Sequence, residues 1–131
     1  MLKIFAVAAF TLLMPLSALA DPVGVWSVRG VNPDNGEEYT GKVQVTRRGE
    51  TYNVVWNVAG TEFIGTGLGA RFVGDRFEMG AASKDDTAIS VGYISGNSFG
   101  MAMYFQQPDG HWQGVWTYGG SKKVASEDWL K

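Results

Sequence analysis

The sequence predicts an all-β protein: a single soluble, antiparallel, eight-stranded up-and-down barrel. Three observations predict it. Beyond residue 20, apolar side chains recur with a period of two, and no window carries a stripe of 3.6-residue period. All 18 Gly fall in that same stretch, together with most of the aromatic residues. Glycine inside a helix costs ~1 kcal/mol against alanine, so this composition favours short strands and tight turns. Turn-forming residues then interrupt the alternation at short, regular intervals, as hairpins require.

Residues 23–30 form the first strand. It ends at Asn32-Pro33-Asp34-Asn35-Gly36, where proline sets φ and Asn-Gly tolerates positive φ. In 38–47, Tyr39, Gly41, Val43 and Val45 alternate with Thr40, Lys42, Gln44 and Thr46. Arg48-Gly49 turns the chain into 51–59, where Tyr52, Val54, Trp56 and Val58 share a face. Gly65, Gly67 and Gly69 in 61–72 predict a bend or bulge. Gly74-Asp75 leads to 76–82, which is followed by 87–95; Gly96-Asn97 leads to 98–106, where Phe99, Met101, Met103 and Phe105 alternate with Gly100, Ala102 and Tyr104. Pro108-Asp109-Gly110 leads to 111–118, with Trp112, Gly114, Trp116 and Tyr118 in phase. The tail, 124–130, is expected to add a short strand or to pack across one end.

Eight such strands left open would expose two unpaired edges, and closure removes them. The expected filling is Trp26, Val43, Val45, Tyr52, Val54, Trp56, Phe63, Phe77, Met79, Phe99, Met101, Met103 and Trp116, opposed by Gly41, Gly65, Gly92 and Gly114. Trp26 and Trp116 are expected to close the barrel structurally. An outer-membrane barrel would need apolar outward residues. Here the outward candidates are Lys42, Gln44, Thr46, Asn53, Asn57 and Gln113. So short a chain favours a mostly filled interior, with any pocket shallow, open at one end and lined by aromatics and Met.

Residues 1–20 have the form of a cleaved signal peptide. Lys3 precedes an almost wholly apolar run over 4–13, Pro15 interrupts it, and Ala18-Leu19-Ala20 is a small-x-small cleavage site. The run is too short for the ~20 residues of a bilayer span. The domain is therefore expected over 21–131, in a bacterial periplasm or secreted, with no membrane span after cleavage. Export without Cys fits that origin better than a disulfide-stapled eukaryotic domain.

Charge and composition exclude several functions. The net charge is −2 (11 Lys+Arg against 13 Asp+Glu), which offers no attraction to nucleic acid. No Cys leaves no thiolate nucleophile, and a single His, His111, argues against a multi-His metal site or a His-dependent triad. No Ser lies in a Gly-x-Ser-x-Gly or Ser-x-x-Lys setting. Asp34-Asn35-Gly36-Glu37 lacks the alternating oxygen ligands of a calcium loop and reads as a turn. Neither enzyme activity, cofactor nor metal is expected.

Gly24-Val25-Trp26 resembles the Gly-x-Trp that opens the first strand of calycin-type barrels, where the resemblance implies a Trp closing the base. A longer pattern joins 29–36 (Arg-Gly-Val-Asn-Pro-Asp-Asn-Gly), Tyr39-Thr40-Gly41, 52–56 (Tyr-Asn-Val-Val-Trp), Gly65-Thr66-Gly67 and 109–116 (Asp-Gly-His-Trp-Gln-Gly-Val-Trp). It is similar to a family of small exported bacterial proteins, often labelled "fibronectin-binding protein". The resemblance implies a fold and compartment and brings no catalytic motif. This chain departs at Ala125-Ser126-Glu127, where the family tends to Gly-Thr-Glu.

Candidate ligand-binding residues are Trp112 and Tyr118, at a barrel mouth where they would stack on a flat ligand, with Met101, Met103 and Trp56 lining the interior. Trp129 is expected over one barrel end, and His111 as an exposed residue beside a turn. Asp85-Asp86 and Glu37-Glu38 are expected as solvating charges at loop edges. Three functions follow as expectations. The first is a non-enzymatic binding protein for a small apolar or glycan ligand. The second is a protein-interaction module for an exported or host protein, matrix-binding or inhibitory, using Arg47, Arg48, Arg71 and Arg76 with Phe72. The third is a weak glycan-directed hydrolase using Glu62 and Glu78, which needs these carboxyl groups ~5–9 Å apart.

Overall fold

The computed structural model describes residues 20–131, so the expected signal peptide, apart from Ala20, lies outside the described residues. Nine strands and no helix occur among them: β1 (Gly24–Val31), β2 (Glu38–Arg48), β3 (Thr51–Val58), β4 (Thr61–Val73), β5 (Arg76–Gly80), β6 (Ala88–Ser95), β7 (Ser98–Gln106), β8 (Trp112–Tyr118) and β9 (Ala125–Leu130). Eight of them close a ring in the order β1-β2-β3-β4-β6-β7-β8-β9 and back to β1. Every pairing is antiparallel. The expected closed up-and-down barrel is therefore present.

Its membership differs from the expected one in a single strand. The segment expected over 76–82 is β5, which pairs only with the last part of β4, from Gly69↔Gly80 to Val73↔Arg76. The tail strand β9 takes the place in the ring, between β8 and β1. β4 is long enough to serve both the ring and this hairpin: its first residues face β3, its middle faces β6 and its end faces β5. Phe77 and Met79 consequently lie on an external hairpin, exposed, and not in the core. β9 closes the ring because Ala125, Glu127 and Trp129 point inward on a period of two, which a tail merely laid across one end could not satisfy.

The registers give the barrel two unlike ends. At one, Trp26 is buried and donates its indole N–H to the Pro22 carbonyl at 2.9 Å. Val43, Val45, Tyr52, Val54, Ile89, Val91, Trp112 and Trp129 fill this half as one buried cluster. Asp86, expected as a solvating charge, is fully buried here. Its Oδ2 accepts from the Tyr52 hydroxyl and from the Ser83 backbone N–H at 2.8 Å. Gly69 makes room for it, since a Cβ there would sit 1.9 Å from that oxygen. The other end, framed by the β1–β2 loop and the β8–β9 connection, is the open one.

Three inward tyrosines each lie across a glycine on the neighbouring strand. The pairs are Tyr39 over Gly30, Tyr93 over Gly100 and Tyr104 over Gly114. The ring covers the backbone that glycine leaves bare, so the wall stays thin on the inside. A Cβ at Gly114 would meet Tyr104 Cδ1 at 2.3 Å and the Met103 carbonyl oxygen at 2.4 Å. One of these atoms is backbone, so Gly114→Ala must move the strand as well as the ring. The expected cost is about 1–3 kcal/mol. Chemical denaturation checks it, and an unchanged midpoint would remove this role for the glycine.

The parity of β7 reverses one expectation. Gly100, Ala102 and Tyr104 face inward, because Gly100 accommodates the Tyr93 ring and Tyr104 stacks on Trp129 at 4.0 Å. Phe99, Met101, Met103 and Phe105 therefore face outward, exposed. Gly92, paired with Met101, is likewise on the outer face. With Ile64, Leu68, Ile94 and Val115 these residues make the outer wall over β4, β6, β7 and β8 apolar. Over β2 and β3 the outer wall carries Lys42, Gln44, Thr46 and Asn57 instead. A barrel immersed in lipid needs an apolar band all round, and this one has it on one side only.

Candidate functional site

Five strands contribute to one transverse row at the middle of the barrel. Reading across, Tyr39 on β2 faces Gly30 on β1, Gly30 faces Glu127 on β9, Glu127 faces Gly114 on β8, and Gly114 faces Tyr104 on β7. The two glycines flanking Glu127 leave space for the tyrosines beyond them to reach over. Glu127 is only 5% exposed. Its Oε1 accepts from Tyr104 OH at 2.8 Å, Trp129 Nε1 at 2.8 Å and Trp56 Nε1 at 2.9 Å. Its Oε2 accepts from Tyr39 OH at 2.5 Å. Indole N–H groups can only donate, so this setting fits the carboxylate form, which accepts at both oxygens.

The tyrosines register both burial and that charge. Burial first, and the Glu127 carboxylate second, hold the Tyr39 and Tyr104 hydroxyls protonated far into the alkaline range. The same two causes push Tyr93 up to about 12. A phenol cannot lose its proton cheaply beside a buried carboxylate, because two like charges would then share a poorly solvated space.

Above this row the barrel is hollow. A cavity of about 260 Å³ is lined by Tyr39, Trp56, Phe63, Tyr93, Tyr104 and Trp116, with Val58 and Ala102, and with Asn32, Glu37, Glu38 and Glu127 as its polar members. An engineered cavity of ~150 Å³ already holds benzene, so this one has room for a substituted single ring. The rings are held edge to face: Tyr39 against Trp116 at 6.1 Å, Trp56 against Tyr93 at 5.7 Å and Phe63 against Tyr93 at 6.0 Å. Such packing fixes each ring without filling the middle. Tyr93 also donates to the Thr117 carbonyl at 3.1 Å, which ties β6 across β7 to β8. Glu37 and Glu38 are exposed at the mouth, where Asn32 and Asn35 shape the loop through bonds to the backbone of Glu37.

The sequence candidates fall in different places. Trp56 lines the cup and bonds Glu127, so it belongs to the site. Trp116, expected as structural closure with Trp26, is half-buried and forms part of the cup wall. Tyr118 is half-buried beside Trp116 at 6.3 Å but is not a lining residue. Trp112 is fully buried rather than at a mouth, because its partner across the ladder is the buried Trp129. Met101 and Met103 lie outside the barrel for the parity reason given above. Trp129 is fully buried in the core and not a rim residue.

Glu62 and Glu78 cannot act as a pair. Glu62 faces Asn57 near the start of β4, whereas Glu78 faces Arg71 near its end. Nine strand residues separate those points, roughly 30 Å at the usual rise of ~3.3 Å per residue. The Arg side chains of the proposed protein-binding rim are partly engaged: Arg47 pairs with Asp21 at 2.8 Å, and Arg71 lies 3.9 Å from Asp86. His111, expected exposed, is half-buried between Asp109 and Asp128 near the opposite end from the cup. Its hydrogen bond lowers the Asp109 pKa. Among the described residues no three His, Asp or Glu side chains converge as metal ligands.

Glu127, Tyr39, Tyr93, Tyr104 and Phe63 are site residues that sequence reasoning did not name as ligand-lining. One signal was present: Ala125, Glu127 and Trp129 alternate, so a carboxylate shares a strand face with a tryptophan. No family model, curated protein or solved structure matches the chain.

Proposed function

We propose that this is a non-enzymatic, exported bacterial binding protein that takes one small molecule into the cup at the open end of its barrel. The observation that carries this reading is the 260 Å³ cavity walled by six aromatic residues, with Asn32, Glu37, Glu38 and Glu127 as its polar members besides the tyrosines. Ligand sites of this kind are concave, largely apolar and carry a few placed polar groups. Their rigidity matters as much as their shape, because rings already locked by neighbours lose little freedom on binding. The separation of Glu62 from Glu78 along β4 speaks for this reading over the hydrolase alternative.

Trp56 and Trp116 report directly on occupancy. A panel of single-ring apolar compounds and small glycans is expected to shift the intrinsic tryptophan emission saturably. Trp116→Ala, a change at a half-buried wall position, should weaken the responding ligand about tenfold or more, the loss expected for ~1.4 kcal/mol of ring contact. Emission left unchanged by neutral and charged single-ring compounds and by glycans alike would overturn the cup as the site. It would turn attention to the exposed apolar face over β4, β6, β7 and β8, and so to the protein-interaction alternative.

A further inference from the structure

The geometry points to an organic cation as the occupant of the cup, specifically an alkylated ammonium group that carries few or no N–H donors. This inference rests on the cup being the ligand site and adds the chemical class of what enters it. Three observations combine. Six of the lining residues are aromatic, and aromatic faces attract cations through their quadrupoles. The ionisable residues of the lining other than its tyrosines are all acidic: Glu127 at the floor, Glu37 and Glu38 at the mouth, with no Lys, Arg or His among them. Rings and carboxylates thus act with one sign along the path from mouth to floor.

The third observation selects among cations. Glu127 already accepts four hydrogen bonds, three of them on one oxygen. It therefore acts on the cup mainly through its charge and offers little free acceptor capacity. The wall tyrosines Tyr39, Tyr93 and Tyr104 spend their hydroxyl protons on Glu127 or on the Thr117 carbonyl. A primary ammonium entering this space would exchange its water for the phenol oxygens of Tyr39, Tyr93 and Tyr104, which still accept but whose positions are fixed by the bonds they donate. A quaternary ammonium gives up less and needs only polarisable faces and a distant negative charge.

Lys122 and Lys123 lie in the connection between β8 and β9, on the rim. Ser121 in that segment reaches Asp34 at 3.3 Å, so the segment lies against the acidic β1–β2 loop. Neither lysine belongs to the cup wall, which leaves the interior free of positive charge.

The test is an isothermal titration of the full domain with benzyltrimethylammonium, its neutral carbon isostere neopentylbenzene, and benzylammonium. The expected result is binding of benzyltrimethylammonium at least tenfold tighter than the other two. Glu37→Gln with Glu38→Gln, both exposed positions outside the packed core, should narrow the preference for the cation over the isostere severalfold. Neopentylbenzene binding as tightly as the cation would overturn the charge assignment while leaving the cup as a ligand site. Benzylammonium matching the quaternary compound would overturn the selection against N–H donors. Absence of binding by all three compounds and by the apolar and glycan panel would overturn the cup itself, and this inference with it.

Discussion

Glu127→Ala is expected to abolish cooperative folding, or to lower the melting temperature by about 20 °C or more. The carboxylate is the common acceptor of two indole N–H groups and two phenol O–H groups from four strands of the ring. Alanine removes the acceptor and leaves the donors. Trp56, Trp129 and Tyr104 are buried, whereas Tyr39 is half-buried at the cup and can turn towards solvent. Each orphaned buried donor costs about 1–3 kcal/mol, so three together approach the ~5–15 kcal/mol that holds a typical domain folded. Relief from burying the charge offsets part of this loss but cannot satisfy the donors left behind.

Glu127→Gln separates the two contributions. Its amide oxygen can still accept from the indoles, and the Tyr39 hydroxyl can rotate to accept from the new N–H₂ group. It should therefore cost far less than alanine, though more than a surface change. Calorimetry and urea unfolding of both variants check this ordering. A Glu127→Ala protein within 1 kcal/mol of the parent would show that the row across β2, β1, β9, β8 and β7 does not hold the barrel together.

The second large effect is alkaline unfolding. Burial heads the causes that raise the pKa of Tyr39, Tyr52, Tyr93 and Tyr104, reinforced by Glu127 at three of them and by hydrogen bonding to Asp86 at Tyr52. Tyr93 is held at about 12, against the ordinary 10.0 of an exposed phenol. Below pH 10 the phenols are neutral in both folded and unfolded chains, and the full stability is present. Above it the unfolded chain sheds protons that the folded barrel must keep. Stability then falls by about 1.4 kcal/mol per pH unit for each such tyrosine, until the folded-state value is passed.

Acting together, these tyrosines are expected to consume a typical domain's ~5–15 kcal/mol of stability above about pH 11. Tyrosinate absorbance and far-ultraviolet circular dichroism, followed in one titration, should change together in that range. Ionisation of these residues near pH 10 with the dichroism intact would contradict the buried network. Tyr52→Phe removes one ionisable group near the closed end and should move the midpoint up, at the cost of the bonds Tyr52 makes with Asp86 and Ser83.

Much of the fold was legible because a strand writes its period directly into the chain. The alternation of Tyr52, Val54 and Trp56, or of Trp112, Gly114 and Trp116, follows from side chains pointing to opposite faces in turn. Turns at Gly49, Gly74 and Gly96 were legible for the same local reason, since each takes a positive φ that glycine adopts without strain. The site was far less so. Of its residues Trp56 alone was named as ligand-lining, because a large aromatic in phase with valines looks the same whether it fills a core or walls a cup.

Local periodicity therefore determined that this chain is all-β, where its strands run, and that they close on one another. It could not determine which of two apolar faces on β7 turns inward, since Phe99, Met101 and Met103 are as apolar as their alternates are small. Packing across strands decided that: Tyr93 needs Gly100 beneath it, and Trp129 needs Tyr104 beside it. Nor could it choose β9 over β5 for the last place in the ring, or gather Tyr39, Trp56, Tyr104 and Trp129 around Glu127. Those partners lie as many as 88 residues from the glutamate, and only closure of the barrel brings such distant groups within hydrogen-bonding reach.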